Sequence, residues 1–367
     1  MPFGNHTLLL DLEGELWAFG ANSFGQLGVG SKDKVCVPTK VSWNGPKPVQ
    51  VDGGLVHSLV LDEEGGVWEA GRSRAAPYPT TFQLVTDLPP VSRVAAGYCH
   101  SAAVDINGAL WVWTNAQTDL QWASCTLTRV EGLPPVQKVV CGRNFLLAEA
   151  QEGGFWVLGD NPDGQLGLGH IIRVQQPTQV DMEELFIGPA RCLAAFLDGI
   201  VIIDSQGTVF TAGSNTSGQI GRGGSNATFQ HVQGIPPMIA ASCGSLHGLC
   251  LDENGGAWAW GRGKYGQLGT RTNAMSHTLV LHGVAALVAG ASHSLAFLNE
   301  GGLLVFGDNS SGQLGLGHFN NQYGPTPAPI SPALPLPPTL KRLKSARSQD
   351  STNYLGSSPP DIGRLRN

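Results

Sequence analysis

Residues 290–315 read GASHSLAFLNEGGLLVFGDNSSGQLG. A short apolar segment, Leu295 to Phe297, runs into a polar turn at Gly301, and a second apolar segment closes six positions later at Gly307. The same pairing recurs upstream as Gly14/Gly20, Gly65/Gly71, Gly108/Thr114, Gly153/Gly159, Gly207/Gly213 and Gly255/Gly261. Successive turn glycines lie 43 to 54 residues apart, the period of a repeat architecture whose units cannot each bury a core alone. Most turns open with Asp and carry Gly where positive φ is needed, as in Asp62-Glu-Glu-Gly65 and Asp252-Glu-Asn-Gly255, so each pair predicts a β-hairpin.

The parts around the hairpin repeat as well. Three positions before the closing residue stand Trp17, Trp68, Trp111, Trp156, Phe210, Trp258 and Leu304; one before it stand Phe19, Ala70, Trp113, Leu158, Ala212, Trp260 and Phe306. Positions two apart share a strand face, so these side chains are assigned to the core, which leaves Trp43 and Trp122 unassigned. A further strand is expected upstream in five units: Val49 to Gly54, Val91 to Gly97, Val136 to Gly142, Ile239 to Gly244 and Ala285 to Gly290. Downstream, five units carry G-Q-[LI]-G, beginning at Gly25, Gly164, Gly218, Gly266 and Gly312. In that loop the Leu or Ile is expected to fill a core site, and the Gln to satisfy buried backbone groups. Neither a dinucleotide fingerprint nor a P-loop is present, since no Lys-[Ser/Thr] pair follows the glycines.

Seven such sheets around an axis make an all-β, seven-bladed β-propeller, whose closure removes exposed sheet edges. The first unit begins at its inner hairpin, at Asn5-His6-Thr7. Leu336-Pro-Pro-Thr339 resembles the Pro-Pro entry at Leu133-Pro-Pro-Val136. The expectation is therefore that a C-terminal strand, residues 339–346, closes the first blade. The domain assignment is a propeller over residues 1–346 and a disordered tail over 347–367, rich in Ser, Asn, Pro and Arg.

Composition agrees with a turn-rich sheet protein. Of 367 residues 50 are Gly, and only 14% are charged. The formal net charge of -6 argues against a dominant nucleic-acid surface, which needs concentrated Lys and Arg. No apolar run approaches membrane-span length, and the opening residues show no basic segment followed by an apolar one. A cytoplasmic or nuclear monomer is the expectation, with nuclear import through Lys341-Arg-Leu-Lys344 and Arg347 as a weaker idea. The seven cysteines include no C-x-x-C pair, which reads as free thiols.

The motifs G-x-x-H-S, D-x-x-G-x-V-W-x-W-G and N-x-x-G-Q-L-G resemble the repeats of the regulator of chromosome condensation family. They are carried here by Gly97-Tyr-Cys-His100-Ser101, Gly290-Ala-Ser-His293-Ser294, Ala257-Trp-Ala-Trp260-Gly261 and Asp308-Asn-Ser-Ser-Gly312-Gln-Leu-Gly315. The resemblance covers residues 4 to about 346. It implies a propeller that binds proteins rather than making bonds: small-GTPase regulators such as the Ran exchanger, ubiquitin-ligase subunits, ciliary scaffolds and a plant photoreceptor share these repeats. No unit here carries an inserted β-hairpin like the wedge of the Ran exchanger.

His6, His57, His100, His247 and His293 all stand eight residues before their turn glycine, where the fourth and fifth units have Phe145 and Gly199. Five imidazoles at one register could ring an axial metal. A repeated structural hydrogen bond, to Ser58, Ser101 or Ser294, is the reading taken, with no metal and no cofactor. Sequons at Asn5, Asn215, Asn226 and Asn309 are read as chance matches, two of them inside the loop motif. No catalytic grouping stands out. Recognition is expected where the repeat breaks, because regular positions are already occupied by folding constraints. The breaks place Trp43 in the first connector, Arg72 and Arg74 in the second unit, Asp119 and Trp122 in the third, and Asp181, Glu183 and Glu184 in the longest connector. The expectation is a protein-interaction site, for a small GTPase or, alternatively, for a nucleotide-independent adaptor partner.

Overall fold

The computed structural model describes residues 4–11, 13–72, 78–114, 126–182 and 185–328. These form seven antiparallel sheets, six of four strands and one of three, each ordered as in the chain. The three-stranded first blade holds His6–Leu10, Leu16–Gly20 and Val35–Lys40. The seventh holds Val284–Ala289, His293–Leu298, Leu303–Gly307 and Gln322–Pro327.

The ring closes between these two blades. Thr7 Oγ1 lies 3.0 Å from His293 Nε2 and donates to Gln313 O at 2.8 Å. Gly317 N donates to Cys36 O at 2.8 Å, and Leu9 and Phe19 of the first blade pack with Leu295, Val305 and Leu314. The expected closing strand at 339–346 and the tail at 347–367 lie outside the described residues.

The hairpins form with their expected partners; His293 pairs with Gly307 and Phe297 with Leu303. The turn Asp organises each corner. Asp252 Oδ1 accepts Asn254 N and Gly256 N, both at 2.8 Å, while its Oδ2 accepts Trp258 Nε1 at 2.8 Å. Asp11, Asp62 and Asp105 hold Trp17, Trp68 and Trp111 in the same way, at 3.1, 2.7 and 3.0 Å. This corrects the core assignment of these three indoles and of Trp258. They are half-buried, apolar body against the sheet and N–H on the turn carboxylate. One blade shows the cost of losing that donor. In the fifth, Phe210 replaces Trp and Asp204 Oδ2 is buried without a partner.

Each G-Q-[LI]-G loop works as expected. Leu27, Leu166, Ile220, Leu268 and Leu314 are at most 1% exposed, and the Gln Oε1 accepts a loop N–H at 2.8–3.0 Å in all five units. Two strand classes escaped the sequence reading. The innermost strand of the fifth blade, Cys192–Phe196, has neither a Pro-Pro entry nor a glycine after it. The outermost strands shrink to Gln83–Leu84, Thr128–Arg129 and Gln230–His231 in three blades, too short and polar to carry a period.

Replacing Asp252 with Ala removes three hydrogen bonds from a buried corner. The expected loss is about 3 kcal/mol, measured as a shift of the urea-unfolding midpoint. Asp204→Ala, with no indole to release, is expected to cost about 1 kcal/mol less.

Candidate docking faces

The strand order gives the propeller two chemically different faces. One carries the hairpin turns and the connectors between blades. The other carries the short turns after the innermost strands and the long G-Q-L-G loops. Among the described residues, the hairpin face presents Glu13, Glu63, Glu64, Asp87, Glu152 and Glu300 with few cations, whereas the loop face presents Lys32, Lys34, Arg143, Arg262, Lys264 and Arg271. A net acidic chain is thus polarised along its axis.

The loop face is stitched around the axis by backbone. Leu55 N donates to Tyr98 O, Tyr98 N to Gly142 O, Arg143 N to Leu197 O, Leu197 N to Ser245 O, Ser245 N to Ala291 O and Ala291 N to Gly4 O, at 2.8–3.3 Å. Beneath this circuit lie the repeated histidines. His6 Nε2 is 2.9 Å from Ser58 Oγ, His57 Nε2 3.1 Å from Ser101 Oγ, and His247 Nε2 3.0 Å from Ser294 Oγ. The imidazole therefore reaches the hydroxyl of the following blade, not the Ser beside it in sequence. Ser58 and Ser294 donate onward to Gln26 O and Gln267 O at 2.7 Å. Their oxygens are left to accept, so the imidazoles of His6 and His247 carry the proton on Nε2. Each Nδ1 faces a glycine: a β-carbon on Gly290 would strike the His293 ring. Among the described residues no group of three or more His, Cys, Asp or Glu is placed to hold a metal.

Where the histidine is lost, the partners change with it. The fifth blade has Gly199, and the sixth has Gly248 at the hydroxyl position; the Trp260 indole fills that space and donates to Gln219 O at 2.5 Å. At the fourth and fifth blades Phe145 packs with Ile200 in an apolar cluster. Above it Arg143 forms a two-pronged ion pair with Asp198, which holds the guanidinium protonated more firmly than usual while burial pushes the Asp198 carboxyl up.

The sequence-selected contact residues do not converge. Trp43 lies on the hairpin face, half-buried, 5.0 Å from Trp68 and 5.8 Å from Phe82, with Nε1 bound to Pro46 O at 2.7 Å. It floors a cleft of about 680 Å³ lined by Glu13, Glu15, Lys40, Asn44 and Lys47. Asp181 is exposed on the same face, three blades on, while Met182 and Phe186 of that connector turn into the core. Arg72 is on the opposite face, 5.8 Å over the Tyr78 ring. Arg74, Asp119, Trp122, Glu183 and Glu184 lie outside the described residues. Asn309, in one of the sequons, is fully buried, with its amide on Leu314 N and His318 O. The six described cysteines are free thiols.

Burial holds His6, His57, His247 and His293 at about 3, far below 6.5. They stay neutral in the folded ring and take up protons on unfolding. The stability they confer is complete above about pH 6.5 and is lost as pH falls toward 3, at about 1.4 kcal/mol per unit for each. Urea titrations at pH 7, 6 and 5 are expected to show the midpoint dropping at every step, with a shallower slope in His57→Gln.

Models of the regulator of chromosome condensation (RCC1) repeat match residues 13–61 and 206–251, and in a second form 239–267 and 284–313. The chain is 28% identical over 328 residues to the human E3 ubiquitin-protein ligase HERC2, covering 80% of this chain and 7% of that protein. It is 28% identical over 323 residues to the mouse secretion-regulating guanine nucleotide exchange factor, covering 82% of this chain and 61% of that one. The yeast Prp20p structure, solved in a study of its binding to Gsp1p and histones, superposes with a TM-score of 0.76 at 19% identity, over 87% of this chain and 86% of Prp20p. Among the described residues no helix is long and apolar enough to cross a membrane.

Proposed function

We propose that this chain, a member of the regulator of chromosome condensation repeat family, is a guanine-nucleotide exchange factor or regulator of a Ras-superfamily small GTPase, acting by binding rather than by making bonds. The observation that carries the reading is its 28% identity, over 82% of its length, to a protein named as a guanine nucleotide exchange factor. The physical requirement is modest. A propeller that binds the nucleotide-free GTPase more tightly than the loaded form lowers nucleotide affinity by the same factor, because the two binding events are linked. A rigid face suits this role, since the deformation then falls on the GTPase rather than on the regulator. Here the axial backbone circuit and the buried His–hydroxyl bonds supply the rigidity. The partner is a protein, and the setting is cytoplasm or nucleus.

A second reading rests on the likeness to HERC2, a far longer ubiquitin ligase of which this chain spans 7%. There the propeller would be an adaptor whose affinity ignores nucleotide.

Release of fluorescent GDP from a panel of Ras-superfamily GTPases separates the two. Stoichiometric propeller is expected to speed release about tenfold or more from at least one member, a lowering of the release barrier by about 1.4 kcal/mol. No acceleration across the panel, with captured partners equally bound in GDP, GTP analogue and chelator, overturns the exchange reading in favour of the adaptor.

A further inference from the structure

The loop of the sixth blade departs from its siblings in a way that packing does not require. After the closing glycine the other G-Q-[LI]-G units read Ala21-Asn22-Ser23, Asp160-Asn161-Pro162, Ser214-Asn215-Thr216 and Asp308-Asn309-Ser310; here the same positions read Arg262-Gly263-Lys264. The structural Asn is gone, and Asn273 Oδ1 accepts Gly263 N at 2.9 Å, the bond that Asn321 makes to Asn309 N in the seventh blade. Two cations have replaced neutral or acidic side chains at repeat positions. They flank one ring, Arg262 and Lys264 each 5.6 Å from the Tyr265 centroid. Arg271, further along the loop, lies 3.9 Å from the centroid of Tyr323 in the seventh blade. The two tyrosines stand on adjoining stretches of backbone, because a β-carbon on Gly266 would come within 2.5 Å of Tyr323 Cα.

This patch has no counter-charge of its own. From Asn254 to Asn299 the chain contains no Asp or Glu, and among the described residues none of the three cations forms an ion pair. Asp308 on the next blade is turned inward, 7% exposed, accepting from Ser310 and Gln313. We propose that Arg262, Lys264 and Arg271, braced on Tyr265 and Tyr323, form a docking site on the loop face for an acidic segment of a protein partner. A guanidinium resting on a ring keeps its edge N–H groups free and oriented, which suits a carboxylate taken two-pronged. The same stacking argues against single-stranded nucleic acid, which needs uncovered aromatic faces for its bases. The net acidic chain and the acidic opposite face point the same way.

The site stands apart from the exchange reading, since it needs no nucleotide. Its test is fluorescence anisotropy at low salt with a fluorescein-labelled deca-glutamate peptide, beside deca-lysine and a twelve-residue oligothymidylate. The expected result is peptide binding weakened about tenfold or more in R262E/K264E/R271E and by less than about twofold in E63K/E64K on the hairpin face. Thermal midpoints establish that each variant is folded; should the triple variant not fold, the exposed Arg271→Gln alone is expected to weaken binding about threefold. Peptide affinity unchanged by the folded loop-face variants overturns the proposal. So does oligothymidylate binding tighter than the peptide and lost in the same variants.

Discussion

Among the described residues, three joints of the ring hold one blade to the next by a hydroxyl that the preceding blade grips from two sides. Ser58 is bonded by His6 and Gln26 O of the first blade, Ser294 by His247 and Gln267 O of the sixth, and Thr7 by His293 and Gln313 O of the seventh. The hydroxyl is the only group at that position able to accept from an N–H and donate to a carbonyl within one buried contact. In the first, sixth and seventh units, which carry both, imidazole register and G-Q-L-G loop are therefore two halves of one joint. Because the joint between the seventh and first blades is of the same kind, the ring shuts on side chains as well as on sheet packing.

The half of the joint that lies within one unit was legible in the sequence, and the half that crosses units was not. Turn glycines, closing glycines and apolar registers all lie within about twenty residues of one another, so their spacing announces the hairpin. The partner of His57 is Ser101, 44 positions away, and linear proximity to Ser58 pointed to the wrong hydroxyl. The half-buried indoles were read as core because a two-residue period cannot tell a side chain facing the sheet from one also reaching a turn carboxylate. The contact residues suffered from a different blindness. Trp43 and Arg72 both mark broken repeats, yet a strand that reverses direction between them sets them on opposite faces. The Arg262-Gly263-Lys264 signal was present in the sequence but hidden by an intact G-Q-L-G just after it.

The polarity of the two faces has a folding origin on one side only. Every hairpin that opens with Asp uses that carboxylate to bind two turn N–H groups and, in four blades, an indole. Negative charge on the hairpin face is in part a by-product of making corners. The loop face has no such obligation. Its repeated N–H acceptors are the neutral Asn and Gln side chains of the loop motif, so most charge placed there is free of the repeat, and the cations of the sixth blade are the clearest instance.

That freedom bears on how a propeller can regulate anything. A regulator that works by differential affinity must not spend binding energy on ordering itself. Here the innermost backbone circuit fixes the height of Leu55, Tyr98, Arg143, Leu197, Ser245 and Ala291 around the axis, and the joints beneath are fully buried. Loops standing on this base inherit its rigidity at their roots while their tips vary blade by blade. A loop substitution therefore changes what is recognised without loosening the ring, whereas a change at His, Ser or turn Asp loosens the ring without altering the surface. The two classes separate cleanly by position within the repeat, so loss of partner binding with unchanged stability marks a recognition residue, and loss of both marks a joint.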